Sequence, residues 1–189
     1  MCLKILEDSR LYALLLKLDA DLAEIARDSG CRCGGVLHGA RYARKPRGWV
    51  GGQPEGYDVR FSFCCAEAGC RKRTTPASVR FLGPKVYLGA VVTLLTALRH
   101  GANARRAGEL RRAIGASRRT LARWRTWWRQ VFTATPFWRT ARACWVPAVA
   151  EALLPASLLE RFVENEVWMR LVRLLECIGP VTTRSGDGI

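Results

Sequence analysis

Acidic side chains and histidines are scarce in this sequence. Residues 81–142 contain a single carboxylate, Glu109, against 13 lysines and arginines. A nuclease that works with two metal ions needs several spaced Asp or Glu residues to hold them, and this stretch cannot supply them. The only histidines are His38 and His100, so a paired-histidine catalytic motif is missing as well. We therefore expect a protein that is not an enzyme.

A long apolar run is also missing. The stretch "LYALLLKLDADLAEIA", residues 11–26, is too short and too acidic to span a membrane, and no basic segment with a cleavage site accompanies it. Its apolar residues recur at helical spacing, which predicts an amphipathic helix. We expect no membrane partner and a cytoplasmic location. Disulfides are rare in that reducing compartment, so the eight cysteines are better explained as metal ligands or free thiols.

The positive charge is confined to the middle of the chain. Residues 31–80 carry a net charge of +7 and residues 81–142 one of +12, while residues 1–30 and 143–189 each carry −2. A confined basic field is typical of a polyanion-binding protein. A purely solubilising surface would mix the two signs instead. The charge pattern therefore favours a nucleic-acid partner.

Two cysteine clusters, "CRCGGVLH" at 31–38 and "FSFCCAEAGCRKR" at 61–73, indicate a metal site. Zinc takes four thiolate or imidazole ligands from two tight turns, and the glycines after Cys33 allow the first turn. A redox CxC pair or free thiols are alternatives, as is His38 as a ligand. A catalytic metal would need an open position and a nearby base, so we expect a closed, structural Zn²⁺ site. The predicted ligands are Cys31, Cys33, Cys65 and Cys70, with Cys64 as the alternate for Cys65.

The composition of the sequence and the spacing of its apolar residues change along the chain. Glycines and short aromatic or β-branched runs in residues 31–80 predict strands around a Pro/Gly loop at 45–56, whereas capped helical patterns follow from residue 85. We predict an α+β, mostly α fold, in which a small β zinc ribbon is followed by a helix-turn-helix and further helices. The predicted segments are an N-terminal helix at 1–30, the ribbon at 31–84, the helix-turn-helix at 85–135, and C-terminal helices for oligomerisation or partner contact at 136–189.

The helix-turn-helix prediction rests on apolar residues at offsets that let two helices pack at a steep angle, such as Leu110, Ile114 and Leu121. On the second helix, predicted over 117–132, Trp124 and Trp128 join a buried face, and arginine, threonine and glutamine form an exposed stripe. Such a stripe suits reading of base edges in the major groove. Arginines of the preceding helix suit phosphate contacts. The predicted DNA-contacting residues are Arg105, Arg106, Arg111, Arg112, Ser117, Arg118, Arg119, Thr120, Arg123, Thr126, Arg129 and Gln130.

Three stretches together resemble a known class of proteins: "CRCGGVLH", "RFSFCC….GCRKRTTPASVRFLG" and "GASRRTLARWRTWW", which cover about residues 31–130. The chain resembles the bacterial zinc-ribbon plus helix-turn-helix DNA-binding proteins that are associated with transposons and insertion sequences. That resemblance implies binding of transposon-end DNA, and in some members repression of the element's own promoter. It implies a transposase accessory or transcriptional regulator, associated with the nucleoid.

Two other functions remain open at this stage. Basic helices and zinc ribbons also serve RNA-binding proteins. Alternatively, the chain is a non-catalytic subunit that recruits a separate transposase partner. The acidic tail could form a homodimer that reads an inverted repeat in double-stranded DNA. It repeats apolar residues at helical intervals, namely Phe162, Val163, Val167, Leu171 and Leu174.

Overall fold

The computed structural model describes residues 2–49, 54–82, 87–97, 108–109 and 112–183. As predicted, the fold is mostly helical with small antiparallel sheets. The helices are α1 (Cys2–Glu7), α2 (Ser9–Asp28), α3 (Gly89–Thr96), α4 (Arg118–Thr126), α5 (Pro136–Ala141), α6 (Ala156–Leu159) and α7 (Val167–Cys177), and the strands are β1 (Leu37–Gly39), β2 (Tyr42–Ala43), β3 (Val59–Arg60), β4 (Phe63–Cys65) and β5 (Arg73–Thr74). Short 3₁₀ turns lie at Arg142–Cys144, Glu151–Leu153 and Gly179–Thr182.

The N-terminal segment forms two helices where the sequence predicted one. Asp8 separates them: its carboxylate accepts a hydrogen bond from the backbone N–H of Arg10 at 3.0 Å and so caps α2. An aspartate at this position satisfies one of the free N–H groups of the helix start. The apolar stripe predicted on α2 is buried in part: Leu11 and Leu15 lie in the core, with one carboxylate, Asp19, on the same stripe. Ile25, near the end of the stripe, is 64% exposed.

The strands form a small ribbon, which we define as residues 31–76. β1 pairs antiparallel with β4, β4 pairs with β5, and a separate two-stranded sheet joins β2 to β3. In the sequence, Arg60, Ser62 and Cys64 alternate with Phe61, Phe63 and Cys65, which predicts one strand with the second set facing the small core. In the structure this strand is interrupted between β3 and β4. The alternation survives within β4, where Phe63 and Cys65 are buried and Cys64 between them is only half-buried. Cys65 therefore points toward the small core, as the alternation predicted.

Helix α3 is buried over its whole length, since each of its eight residues is in the core. A helix that is apolar on every side must be surrounded by other elements, and α3 contacts α1, α4 and α7. Gly89 opens the helix where it touches the chain after the ribbon, because a Cβ there would lie 3.1 Å from the carbonyl oxygen of Val79. The pattern of residues 86–101 predicts one helix, whereas α3 runs from Gly89 to Thr96. Residues 98–101, which were predicted to continue it, lie outside the described residues.

The second predicted helix of the helix-turn-helix is present. Ser117 caps α4 by accepting a hydrogen bond from the backbone N–H of Thr120, as its position in the sequence predicted. The helix then continues as a π-helical turn at Trp127–Phe132. Most of the helix predicted to precede it, from residue 103 to Gly115, lies outside the described residues, and residues 108–109 and 112–114 within it are helical.

One large hydrophobic core draws residues from all four predicted segments, including Leu11, Tyr57, Leu94 and Leu171. A second, smaller cluster lies inside the ribbon, where Ala23 of α2 packs with Leu37, Phe63 and Cys65. In the parts of the chain that the structure describes, no helix is both long enough and apolar enough to cross a membrane.

Candidate metal centre

The first cysteine turn is short and tight. The backbone N–H of Gly34 donates to the carbonyl of Cys31 at 2.8 Å, and the N–H of Cys31 donates to the carbonyl of Gly35 at 3.1 Å. Gly34 has φ +83°, a left-handed conformation that glycine adopts without a Cβ clash. The two glycines after Cys33 therefore fold the chain back so that both thiols of this turn face the same point.

The second turn follows β4 and brings its own two thiols to that point. The N–H of Cys70 donates to the carbonyl of Glu67 at 3.0 Å, which closes the turn. The sulfurs of Cys31 and Cys70 lie 3.7 Å apart, and those of Cys33 and Cys65 lie 3.5 Å apart. All four sulfurs lie within 4.8 Å of one another, an arrangement that can hold a metal ion.

Gly35 leaves the room that the four sulfurs need. A Cβ at this position would stand 2.8 Å from the sulfur of Cys65, 3.4 Å from that of Cys33 and 2.6 Å from Cγ of Glu67. Two of these distances are shorter than normal van der Waals contact. The packing of the thiols therefore requires glycine at this position.

A backbone N–H group acts to lower the pKa of each of three cysteines at the site, but the net pKa is lowered at Cys31 and raised at Cys65 and Cys70. The N–H and the thiol of Cys33 lower the pKa of Cys31 to about 7. At Cys65 the N–H of Glu67 acts in the same direction, but burial and the neighbouring thiols prevail and raise its pKa to about 12. At Cys70 the N–H of Lys72 is likewise outweighed by the thiol of Cys33 and by burial, and the pKa is raised. Crowded thiols with amide donors are the environment in which a cation replaces protons.

The alternate ligands point elsewhere. Cys64 lies between two inward residues of β4, and its sulfur is 3.4 Å from the carbonyl oxygen of Arg71. His38 is exposed and pairs across the sheet with Cys64. Both residues therefore lie on the outer face of the sheet, opposite the four clustered thiols. The predicted set with Cys65 is the one that the fold brings together.

A buried ion pair joins α2 to the chain just after the ribbon, and it was not predicted from the sequence. Asp19 of α2 and Arg80 lie 2.8 Å apart with both side chains fully buried. Asp19 also accepts hydrogen bonds from Ser78 Oγ and the N–H of Val79, each at 2.6 Å. One feature of the sequence indicates such a pair. Asp19 stands four residues after Leu15, on the apolar stripe of α2, where a carboxylate needs a buried partner.

Arg80 in turn holds the ribbon itself. Its guanidinium donates to the carbonyl of Tyr57 at 2.7 Å and to that of Val59 at 2.8 Å. The same group lies over the rings of Tyr57, Phe61 and Phe81, at 5.1, 5.4 and 5.0 Å from their centroids. Every face of this buried cation is thus occupied by a carboxylate, a carbonyl or a ring.

The predicted DNA-contacting residues divide into three groups. Arg105, Arg106 and Arg111 lie outside the described residues. Thr120 does not belong to the exposed stripe, because it is buried and its side chain lies against the Ser117 cap. The remaining predicted residues are exposed, namely Arg112, Ser117, Arg118, Arg119, Arg123, Thr126, Arg129 and Gln130.

The opposite face of α4 is buried as predicted, through Leu121 and Trp124. Trp128 follows in the π-helical turn, where its ring packs 4.9 Å from that of Phe132. The wider hydrogen-bonded turn there changes the spacing of side chains around the axis. Arg129 and Gln130 therefore do not continue the stripe of Arg119 and Arg123 at regular α-helical intervals, although they are exposed.

Comparison with known proteins gives no match: no family model, no curated protein and no solved structure is significantly similar to this chain.

Proposed function

We propose that the four-cysteine cluster binds a structural zinc ion. Four thiolates at a Zn–S distance of about 2.3 Å lie about 3.8 Å apart in a regular tetrahedron. The separations of 3.5 and 3.7 Å between facing sulfurs are close to that value. Four cysteines fill a tetrahedral shell and leave no position for substrate, which supports a role in folding. The apolar cluster of the ribbon is small and includes Ala23 of α2, so the ion would stabilise what that core cannot.

We propose further that the chain binds double-stranded DNA through the exposed face of α4. The observation that carries this proposal is the one-sided division of the helix, with Leu121 and Trp124 buried and Arg118, Arg119 and Arg123 exposed. No carboxylate occurs between Glu109 and Glu151 in the sequence. Within the described part of the chain these arginines form no ion pair. Unpaired guanidinium groups on a rigid helix suit guanine edges and phosphates.

The biological setting that we propose is a mobile genetic element, in which the chain acts as a non-catalytic transposase accessory or transcriptional regulator. This part rests on the sequence resemblance described above, carried by the ribbon and the residues around α4. The scarcity of carboxylates in residues 81–142 also supports a binding role without catalysis.

Selection of bound sequences from random duplex DNA tests the DNA-binding proposal. Purified protein with its metal retained should enrich a defined motif at near-physiological salt. Arg123→Ala should then flatten the motif, at a cost of about 1–3 kcal/mol on the preferred site. Arg139→Ala, which removes an exposed arginine from α5, is the matched control and should leave the motif intact. A motif that survives Arg123→Ala and Arg119→Ala together, or tighter binding to hairpin RNA than to duplex, would refute the proposal.

A further inference from the structure

The residue that follows the last cysteine of the cluster has an unexpected backbone conformation. Arg71 has φ +46°, and among the described residues it is the one non-glycine with a positive φ. Its backbone is held by the turn, since its N–H donates to the carbonyl of Glu67 at 3.0 Å. A side chain in this left-handed region brings Cβ close to the following carbonyl and destabilises the backbone.

The other cysteine turn has a glycine at the equivalent left-handed position. Gly34 follows Cys33 just as Arg71 follows Cys70, and both adopt the left-handed conformation. Nothing within 4 Å of a Cβ at Gly34 would obstruct a side chain, so the difference between the two turns is not one of space. Arg71 therefore carries a backbone strain that glycine would avoid, and strained residues of this kind cluster at binding sites and ligand clamps.

The charges next to Arg71 define what a binding site there can hold. Arg71, Lys72 and Arg73 are consecutive and all exposed. Among the described residues none of the three forms an ion pair. Glu67, the nearest carboxylate in the sequence, has its Cγ beside Gly35 on the metal side of the turn. The three cations are therefore available to an anion.

Arg73 is also oriented by the fold. It lies on β5, the edge strand of the sheet order β1-β4-β5, where it pairs with Cys64 of β4. Its guanidinium lies 5.9 Å from the ring centroid of Tyr42, which is 38% exposed. The guanidinium lies over one face of this ring, and that face is therefore not free to stack on an unpaired base. The surface suits a row of phosphates better than single-stranded bases.

We infer that Arg71, Lys72 and Arg73, together named the knuckle cations, bind the phosphate backbone of duplex DNA independently of sequence. This inference rests on the proposed DNA-binding function and adds a second contact to it, apart from α4. The metal-stabilised turn holds Arg71 and the sheet holds Arg73, so the contact is organised before binding. Phosphate contacts of this kind set affinity and its salt dependence without reading bases.

The test compares Arg71→Gly with the wild-type protein, both with metal retained. Glycine removes the backbone strain, so metal content should be unchanged and the melting temperature equal or higher. Affinity for a random-sequence duplex should nevertheless fall, and the slope of log K against log salt should decrease by about 1. Arg71→Lys should keep most of the affinity. Arg27→Ala, which removes an exposed arginine from the acidic N-terminal segment, controls for net charge.

Wild-type affinity and salt slope in Arg71→Gly would overturn the inference, as would a loss no larger than that of Arg27→Ala. A loss confined to hairpin RNA would overturn it too, since the partner would then be RNA. Arg123→Ala, measured in parallel on the selected site, separates the two proposals. An effect of Arg71→Gly without one of Arg123→Ala refutes the role of α4, and the reverse result refutes the knuckle cations. Wild-type protein that binds no duplex refutes both.

Discussion

Asp19 and Arg80 meet at 2.8 Å with both side chains fully buried, 61 residues apart in the sequence. Burying an ion pair is costly unless each remaining donor and acceptor is satisfied. Here the carboxylate also binds Ser78 and Val79, and the guanidinium binds the carbonyls of the ribbon. The pair therefore fixes the position of the ribbon that carries the four cysteines against the helix that carries Asp19.

Removal of one partner of this pair should strongly destabilise the folded protein. We expect Asp19→Ala to lower the free energy of unfolding by about 3–5 kcal/mol, because it leaves Arg80 buried without a counter-charge. Asp21→Ala is the matched control: its exposed pair with Lys17 spans one turn of the same helix, and its loss should cost about 0.5 kcal/mol or less. Urea unfolding followed by circular dichroism measures both. Similar costs for the two variants would contradict the role assigned to the buried pair.

The space at Gly35 makes a sharp prediction about metal affinity. A methyl group there would collide with the sulfur of Cys65, so Gly35→Ala should weaken metal binding. Gly39→Ala is the control, because nothing lies within 4 Å of a Cβ at that position and its φ is not in the left-handed region. Competition with a chelator of known affinity measures both variants. Equal affinity in the two would mean that the thiols can rearrange around the added methyl group.

Serine substitutions separate the clustered thiols from the neighbouring one. We expect Cys33→Ser to lose most of the bound metal, since its sulfur lies 3.5 Å from that of Cys65 within the cluster. Cys64→Ser should retain a full equivalent, because this thiol lies on the outer face of the sheet near the carbonyl of Arg71. Metal analysis of the two purified proteins is the measurement. Loss of metal in Cys64→Ser would mean that Cys64, and not Cys65, is the ligand.

Alkaline pH should destabilise the fold through Tyr12. Burial raises the pKa of Tyr12 to about 12, above the value of about 10 that it has in the unfolded chain. The folded protein therefore keeps the phenol proton between these pH values while the unfolded chain loses it. The stability that depends on protonated Tyr12 is intact below pH 10. As pH rises from 10 toward 12, the free energy of unfolding falls by up to about 1.4 kcal/mol per pH unit.

The matched variant for this effect is Tyr12→Phe. It should cost about 1 kcal/mol at neutral pH, because the hydroxyl donates to the carbonyl of Leu6 at 2.6 Å. It should also flatten the alkaline decline, leaving the part due to Tyr57, whose pKa burial raises as well. Urea unfolding at a series of pH values from 7 to 11 tests both points. An unchanged slope in Tyr12→Phe would assign the decline to other groups.

Local patterns in the sequence predicted the parts of the fold that depend on neighbours in the chain. Glycines next to Cys33 and the alternation around Cys65 sufficed to select the four clustered thiols, and the spacing of Leu121 and Trp124 selected the buried face of α4. Thr120 was misplaced because a side chain that supports a helix cap and one that faces solvent look the same in a helical projection. Its burial is decided by what packs against the helix.

Long-range contacts could not be predicted in this way. Asp19 was recognisable as a carboxylate on an apolar stripe, but no pattern in the sequence names Arg80 as its partner. Arg60 is a similar case: it was expected to alternate outward along a strand, yet it is buried and donates to the carbonyl of Pro76. The carbonyls that Arg60 and Arg80 donate to come from distant segments, and only the assembled chain brings these together.

The hydrogen bond from the backbone N–H of Ser78 to the hydroxyl oxygen of Thr182 spans 104 residues at 2.8 Å. Since Ser78 also binds Asp19, the chain just after the ribbon is tied at one point to both its first long helix and its last described turn. Heat and denaturant should therefore melt the ribbon and the helices in a single cooperative transition. A fragment cut between residues 84 and 85 would not be an independent folding unit, and a ligand bound by the four thiols would protect helices that it never touches.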